Sequence, residues 1–159
     1  MSSKPGEGAT FKIRFPQCAE AAAAPKLLKT NAVRGGTETI LLVDDSAPLR
    51  KLLIRLLTDN GYTVLDAGDP DEALRMAKEY LGSIPLLITD MVLPGFNGTV
   101  LAERLVAGRP ETKVLYVSGY NNIPVVPSRQ QELDYDFLMK PFTQTELLGK
   151  VRRLLDSCR

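Results

Sequence analysis

From Thr37 to Ser157 short apolar runs alternate with amphipathic stretches, the rhythm of a βαβα chain. Ile40-Leu41-Leu42-Val43 is a continuous apolar run of the kind buried on both faces of a sheet, and it stops abruptly at Asp44-Asp45. Ser46 can cap the helix that follows, with Pro48 in its first turn; Leu49, Leu52, Leu53, Leu56 and Leu57 keep helical spacing, and Asn60-Gly61 closes it. A second strand, Tyr62 to Leu65, leads through Asp69-Pro70 into a helix whose Ala73, Leu74, Ala77 and Leu81 share a face. The third strand is Leu86 to Asp90, followed by a turn at Pro94-Gly95 and a helix from about Asn97 carrying Val100, Leu101 and Leu105. Val114 to Val117 is a fourth strand ending at Ser118-Gly119, and Tyr135 to Met139 a fifth ending at Lys140-Pro141. Leu147, Leu148, Val151, Leu154 and Leu155 form the stripe of a last helix. Between strands four and five, Pro124 and Pro127 predict a late, short or irregular helix. Five strands with crossovers predict an α/β fold: a doubly wound, five-stranded parallel sheet with helices on both faces.

The segment before Thr37 differs in kind. Residues 1–36 hold six basic and two acidic side chains, whereas 37–159 hold 14 basic and 17 acidic. Ala9-Thr10-Phe11-Lys12-Ile13-Arg14-Phe15 alternates polar and apolar as a half-buried strand does, Pro16 ends it, and no partner strand is evident. Ala19 to Gly36, with its alanine run, Pro25 and Gly35-Gly36, has the composition of a linker.

Composition narrows the chemistry. The 159 residues are 44% hydrophobic, enough for one core with chain to spare. With 20 basic against 19 acidic side chains, the net charge of +1 gives no electrostatic case for nucleic acid or a membrane surface as partner. The chain has no histidine, which excludes Ser/His/Asp triads, histidine-ligated zinc and an autophosphorylating histidine within it. Cys18 and Cys158 lie near opposite ends with no metal-knuckle spacing, so a reducing compartment is expected. No leader pattern and no run of roughly 20 apolar residues occurs, and a cytoplasmic location without membrane contact is expected of this stretch.

In a doubly wound sheet ligands bind outside the carboxyl ends of the strands. Those ends carry Asp44 and Asp45, Asp90, Ser118 and Lys140. Three carboxylates converging on one edge repel unless a cation is shared among them, and oxygen ligands suit Mg²⁺ bridging carboxylate to phosphate. Lys140 can neutralise a phosphoryl oxygen as a point charge, and Ser118 can donate a hydrogen bond to another.

The segment from Glu38 to Ser157 resembles the receiver domain of two-component response regulators of the chemotaxis-regulator type, a flavodoxin-like (βα)5 fold. The marks, in this order and spacing, are Leu42-Val43-Asp44-Asp45, Ile88-Thr89-Asp90-Met91-Val92-Leu93-Pro94-Gly95 with Asn97-Gly98, Val117-Ser118-Gly119 and Leu138-Met139-Lys140-Pro141-Phe142. The resemblance implies that Asp90 is the phosphoacceptor, taking phosphate from a phosphohistidine as a carboxylate nucleophile. It implies that Asp45, Asp90 and the backbone carbonyl of Val92 hold Mg²⁺ (or Mn²⁺), with Asp44 acting through a water. It further implies that Lys140 and Ser118 contact the transferred group, and that Ser118 and Phe137 move when it arrives. The implied donors are a sensor histidine kinase core, a histidine phosphotransfer protein, or both. Pro5-Gly6-Glu7-Gly8-Ala9-Thr10-Phe11-Lys12-Ile13 resembles the last glycine-rich turn and strand of a histidine kinase's ATP-binding domain, although Ala9 stands where that family favours Thr or Ser. Residues 1–17 would then be a remnant of that domain, 18–36 a linker and 37–159 the receiver of a hybrid histidine kinase whose parent protein can be membrane-anchored.

Three other readings compete with this one. A degenerate receiver used as an unphosphorylated binding module would not need the acidic pocket. A self-contained histidine kinase needs a histidine and a nucleotide-binding domain that these residues lack. A phosphatase of related topology would need a second aspartate two residues after the first, where Val92 sits.

Overall fold

The computed structural model describes residues 2–4, 8–10, 35–95, 97–119 and 134–157. The chain divides into two compact units, Met1–Thr30 and Asn31–Arg159. In the first, β1 (Ser2–Lys4) pairs antiparallel with β2 (Gly8–Thr10), Ser2 opposite Thr10 and Lys4 opposite Gly8. The expected strand therefore has a partner. Ser2-Ser3-Lys4 carries no apolar alternation, so only backbone pairing reveals it. The rest of that strand, 11–15, and the linker up to 34 lie outside the described residues.

In the second unit β3 (Thr39–Val43), β4 (Thr63–Ala67), β5 (Leu86–Asp90), β6 (Lys113–Ser118) and β7 (Tyr135–Met139) form one parallel sheet in the order β4-β3-β5-β6-β7. Every residue of Ile40 to Val43 is buried, as a continuous apolar run on a doubly covered strand requires. Leu41 and Val43 pack with Ala73 and Ala77 of α2 (Pro70–Glu79) and Leu101 and Leu105 of α3 (Gly98–Gly108). Ile40 and Leu42 face the other way, with Leu53 and Leu57 of α1 (Ala47–Asp59) and Leu147 and Val151 of α4 (Gln144–Asp156). The order reverses between β3 and β5, and that switch point opens the crevice where ligands bind in such sheets. The segment holding Pro124 and Pro127, where a further helix is expected, lies outside the described residues.

The caps follow the sequence with one exception. Asp69 accepts the Glu72 N–H at 2.8 Å, Asn97 accepts that of Thr99 at 3.1 Å, and Thr143 and Glu146 form a reciprocal capping box. Ser46 occupies the cap position of α1, yet its side chain makes no capping bond; its own N–H instead donates to Asp44 Oδ1 at 2.8 Å. Leu81 also departs from expectation. The second helix ends at Glu79, and the guanidinium of Arg109 donates to the carbonyls of Ala77, Tyr80 and Gly82, drawing the chain off the helical path and leaving Leu81 fully exposed. Leu52 is likewise exposed on α1, whose inner face is Leu53 and Leu57.

Gly35 and Gly36, which read as linker, are packing residues. Gly36 N–H donates to the Asn60 carbonyl at 3.2 Å, and a β-carbon on Gly35 would stand 2.0 Å from that same oxygen. Because the obstruction is backbone, it cannot swing aside. Gly35→Ala is expected to cost about 1–3 kcal/mol in denaturant unfolding; an unchanged midpoint would show that this end of the chain is not docked.

Candidate functional site

Four of the five strand ends of this sheet deliver the site. β3 runs into Asp44, which is 2% exposed, and Asp45, which is exposed; β5 ends on Asp90; β6 ends on the buried Ser118; β7 leads into Lys140. Lys140 Nζ stands 2.6 Å from Asp90 Oδ2 and 3.3 Å from Asp44 Oδ2, joining the two carboxylates across the switch point. The other oxygen of each is held by the backbone two residues on: Ser46 N–H to Asp44 Oδ1 at 2.8 Å, Val92 N–H to Asp90 Oδ1 at 2.9 Å. Burial works to lower the Lys140 pKa, but the hydrogen bond to Asp90 and the charges of Asp44 and Asp90 outweigh it and hold the ammonium above the ordinary lysine value.

The surrounding backbone is closely fixed. Lys140 N–H donates to the Ser118 carbonyl at 2.7 Å, and the Lys140–Pro141 peptide is cis. Thr89 Oγ1 donates to the Asp90 carbonyl at 3.0 Å, and Met91 N–H to that of Val117 at 3.0 Å. The loop after Asp90 folds back, with Val92 bridged to Asn97 and Gly98 N–H donating to the Met91 carbonyl at 2.9 Å. A β-carbon at Gly98 would lie 2.1 Å from the Asp90 carbonyl oxygen, so Gly98 of the motif is required by the close approach of α3 to the strand end.

Asp44, Asp90 and Lys140 are thus in contact, with Ser118 buried at the neighbouring strand end. Asp45 stands at the rim outside that contact, and among the described residues no three acidic side chains close on one point. The donor set is carboxylate and carbonyl oxygen without nitrogen or sulfur, which fits a hard divalent cation. Phe137 is half-buried, stacked on Tyr116 at 5.4 Å between centroids and edge-on to Tyr135 at 5.5 Å. Next to it, burial works to raise the Asp136 pKa, but the hydrogen bonds from Lys150 and the Phe137 N–H and the charges of Lys150 and Arg153 together outweigh it, and the acid lies below its ordinary value. A groove of about 440 Å³ between α2 and α3, lined by Leu74, Lys78, Leu105 and Arg109 among others, contains none of the strand-end residues. Sequence reasoning missed Arg50, whose guanidinium donates to the Asp44 carbonyl at 2.7 Å and to Asp66 Oδ2 at 3.2 Å. Its only sequence signal is a cation one turn into the helix that follows an acid pair.

A sequence profile described as response regulator receiver domain matches residues 40–152. The sensor kinase CckA of Brucella abortus (strain 2308) is 33% identical over 162 residues, covering 97% of this chain and 17% of that protein. The chain therefore spans about a sixth of that relative's length. The crystal structure of the receiver domain from hybrid histidine kinase CckA superposes with a TM-score of 0.63 at 34% identity, covering 74% of this chain and 99% of that one. The response regulator TrrA of Thermotoga maritima, in complex with Mg(2+)-BeF, superposes with a TM-score of 0.64 at 28% identity, covering 74% and 98%. No helix among the described residues is long and apolar enough to cross a membrane.

Proposed function

The chain belongs to the response regulator receiver domain family of two-component signalling, and from that premise we propose that it is a phosphoacceptor whose acceptor atom lies on the Asp90 carboxylate. The observation that carries this reading is the Lys140 ammonium shared between Asp90 and Asp44 at the switch point. A carboxylate oxygen of Asp90 attacks the phosphorus of a phosphohistidine; the new P–O bond forms as the P–N bond breaks, and the imidazole nitrogen keeps that electron pair. Lys140, already on Asp90 Oδ2, neutralises charge on the transferred oxygens, and Ser118 donates to another of them. A magnesium or manganese ion held by Asp45, Asp90 and the Val92 carbonyl, with Asp44 reaching it through water, would supply further charge neutralisation. The relative solved with Mg(2+)-BeF supports that cation here.

In the wider protein, the phosphoryl donor is a histidine kinase core or a histidine phosphotransfer protein, and the location is cytoplasmic. The alignment to the sensor kinase takes in 97% of the chain, whereas the isolated CckA receiver covers 74%. That difference supports reading residues 1–17 as the end of an ATP-binding domain, 18–36 as a linker whose last two residues, Gly35 and Gly36, pack against Asn60 of the receiver, and 37–159 as the receiver. Phe137, stacked on Tyr116 beside β7, is the side chain through which occupancy of Asp90 would be read on the outer face. The wild-type protein, incubated with acetyl phosphate and Mg²⁺, is expected to gain one phosphoryl group in an intact-mass measurement and to lose it to hydroxylamine. Protein that stays inert would sink the phosphoacceptor reading and favour the binding module.

A further inference from the structure

Arg50 is bound to the site's backbone without being one of the strand-end residues. It lies at the end of the first turn of α1, its N–H donating to the Ser46 carbonyl at 2.8 Å, and its side chain reaches back over the loop it has just left. NH1 donates to the Asp44 carbonyl at 2.7 Å and Nε to Asp66 Oδ2 at 3.2 Å, while the guanidinium lies against Gly68, where a β-carbon would meet it at 3.4–3.6 Å. The side chain is 20% exposed and that of Asp66 47%. An ion pair this open to water adds little stability, so its use is geometric.

The carbonyl that Arg50 holds belongs to the peptide joining Asp44 to Asp45. The Asp44 side chain has two other anchors, Ser46 N–H and Lys140, and the Asp44 backbone N–H reaches the Ala67 carbonyl at 3.4 Å. The plane of that one peptide decides where the exposed Asp45 carboxylate leaves the chain. Resting on the receiver reading above, we propose that Arg50 is a positioning residue: oriented by Asp66, it fixes the Asp44–Asp45 peptide so that Asp45 is aimed at the cation site. The guanidinium suits this because its donors diverge at a fixed angle, one to a carbonyl and one to a carboxylate; an ammonium offers a single point. The contacts of Arg50 are with Asp44 and Asp66 rather than with Asp90 or Lys140, so its loss should act on cation affinity before it acts on the acceptor.

The test is a calorimetric titration of the full chain with Mg²⁺ alone, for wild type, Arg50→Ala, Arg50→Lys and Asp66→Asn. Arg50→Ala is expected to weaken Mg²⁺ binding on the order of tenfold or more, the usual effect of removing a support behind a metal ligand. Arg50→Lys should fail to restore it, and Asp66→Asn should show a smaller loss in the same direction. Amide NMR signals of Asp45 and Ser46 in metal-free protein should shift in all three variants. The phosphorylation defect of Arg50→Ala should shrink as Mg²⁺ is raised. A merely structural role would lower the unfolding midpoint without changing Mg²⁺ affinity. Wild-type affinity in a folded Arg50→Ala, or in Asp66→Asn and Arg50→Lys should Arg50→Ala not fold, overturns the proposal, as does a rate loss that no Mg²⁺ concentration relieves. Wild-type protein that takes neither Mg²⁺ nor a phosphoryl group overturns the receiver reading itself, and this assignment with it.

Discussion

Asp90→Asn is expected to abolish phosphoryl uptake from acetyl phosphate while the fold stands. A carboxamide keeps the shape of the side chain, and its oxygen can still accept the Val92 N–H that Asp90 Oδ1 takes at 2.9 Å. It is not a nucleophile for phosphorus, so the mass gain should fall to nothing rather than slow down. The cost in stability should be small. Lys140 loses its 2.6 Å partner but retains Asp44 at 3.3 Å, leaving one cation on one carboxylate. With the ammonium side chain 26% exposed, the change should stay within about 1 kcal/mol in a denaturation experiment. A folded Asp90→Asn protein that still gained a hydroxylamine-labile phosphoryl group would move the acceptor to another carboxylate of the same edge.

The strand ends were legible because apolar runs stop abruptly at charges: Val43 to Asp44 and Asp45, Ile88-Thr89 to Asp90, Met139 to Lys140. A buried strand cannot carry such residues inward, so the transition marks the edge where the chain emerges. What stayed hidden depends on partners distant in sequence. Leu81 falls on the helical stripe of Ala73 and Ala77, yet Arg109, far along the chain, takes up the carbonyls of Ala77 and Gly82 on either side of it, and Leu81 stays outside the core. Gly35 and Gly36 read as linker because nothing local reveals that the Asn60 carbonyl lies where a β-carbon on Gly35 would go and accepts the Gly36 N–H. The two acids after β3 look equivalent, yet one is buried against Lys140 and the other exposed, a distinction made by Ser46, Arg50 and Lys140 from separate places in the chain.

Lys140→Ala should do two things that Asp90→Asn does not. It leaves Asp44, 2% exposed, and Asp90, 15% exposed, facing one another with no cation between them. Removing one partner of a fully buried pair costs roughly 3–5 kcal/mol, and because the ammonium is partly hydrated the expected loss is about 1–3 kcal/mol. Added Mg²⁺ should return part of it, since an ion bound only by the folded state stabilises in proportion to the logarithm of its concentration over its dissociation constant. In the wild type the lysine pKa is raised above 10.5, so this contribution is complete below that value and is lost only as pH climbs through the higher folded-state one. No change traceable to Lys140 is therefore expected across neutral pH, and the loss in the variant should be the same at about pH 6 as at about pH 8, a range over which a lysine stays charged. Phosphoryl uptake should slow on the order of a hundredfold, as for loss of one charge-stabilising donor, without vanishing, because the Asp90 nucleophile remains. Lys140→Arg should recover stability better than rate, since its larger planar head restores the charge but not the point contact. A Lys140→Ala protein of wild-type stability and rate would mean that the ammonium between the two carboxylates carries neither the fold nor the transfer.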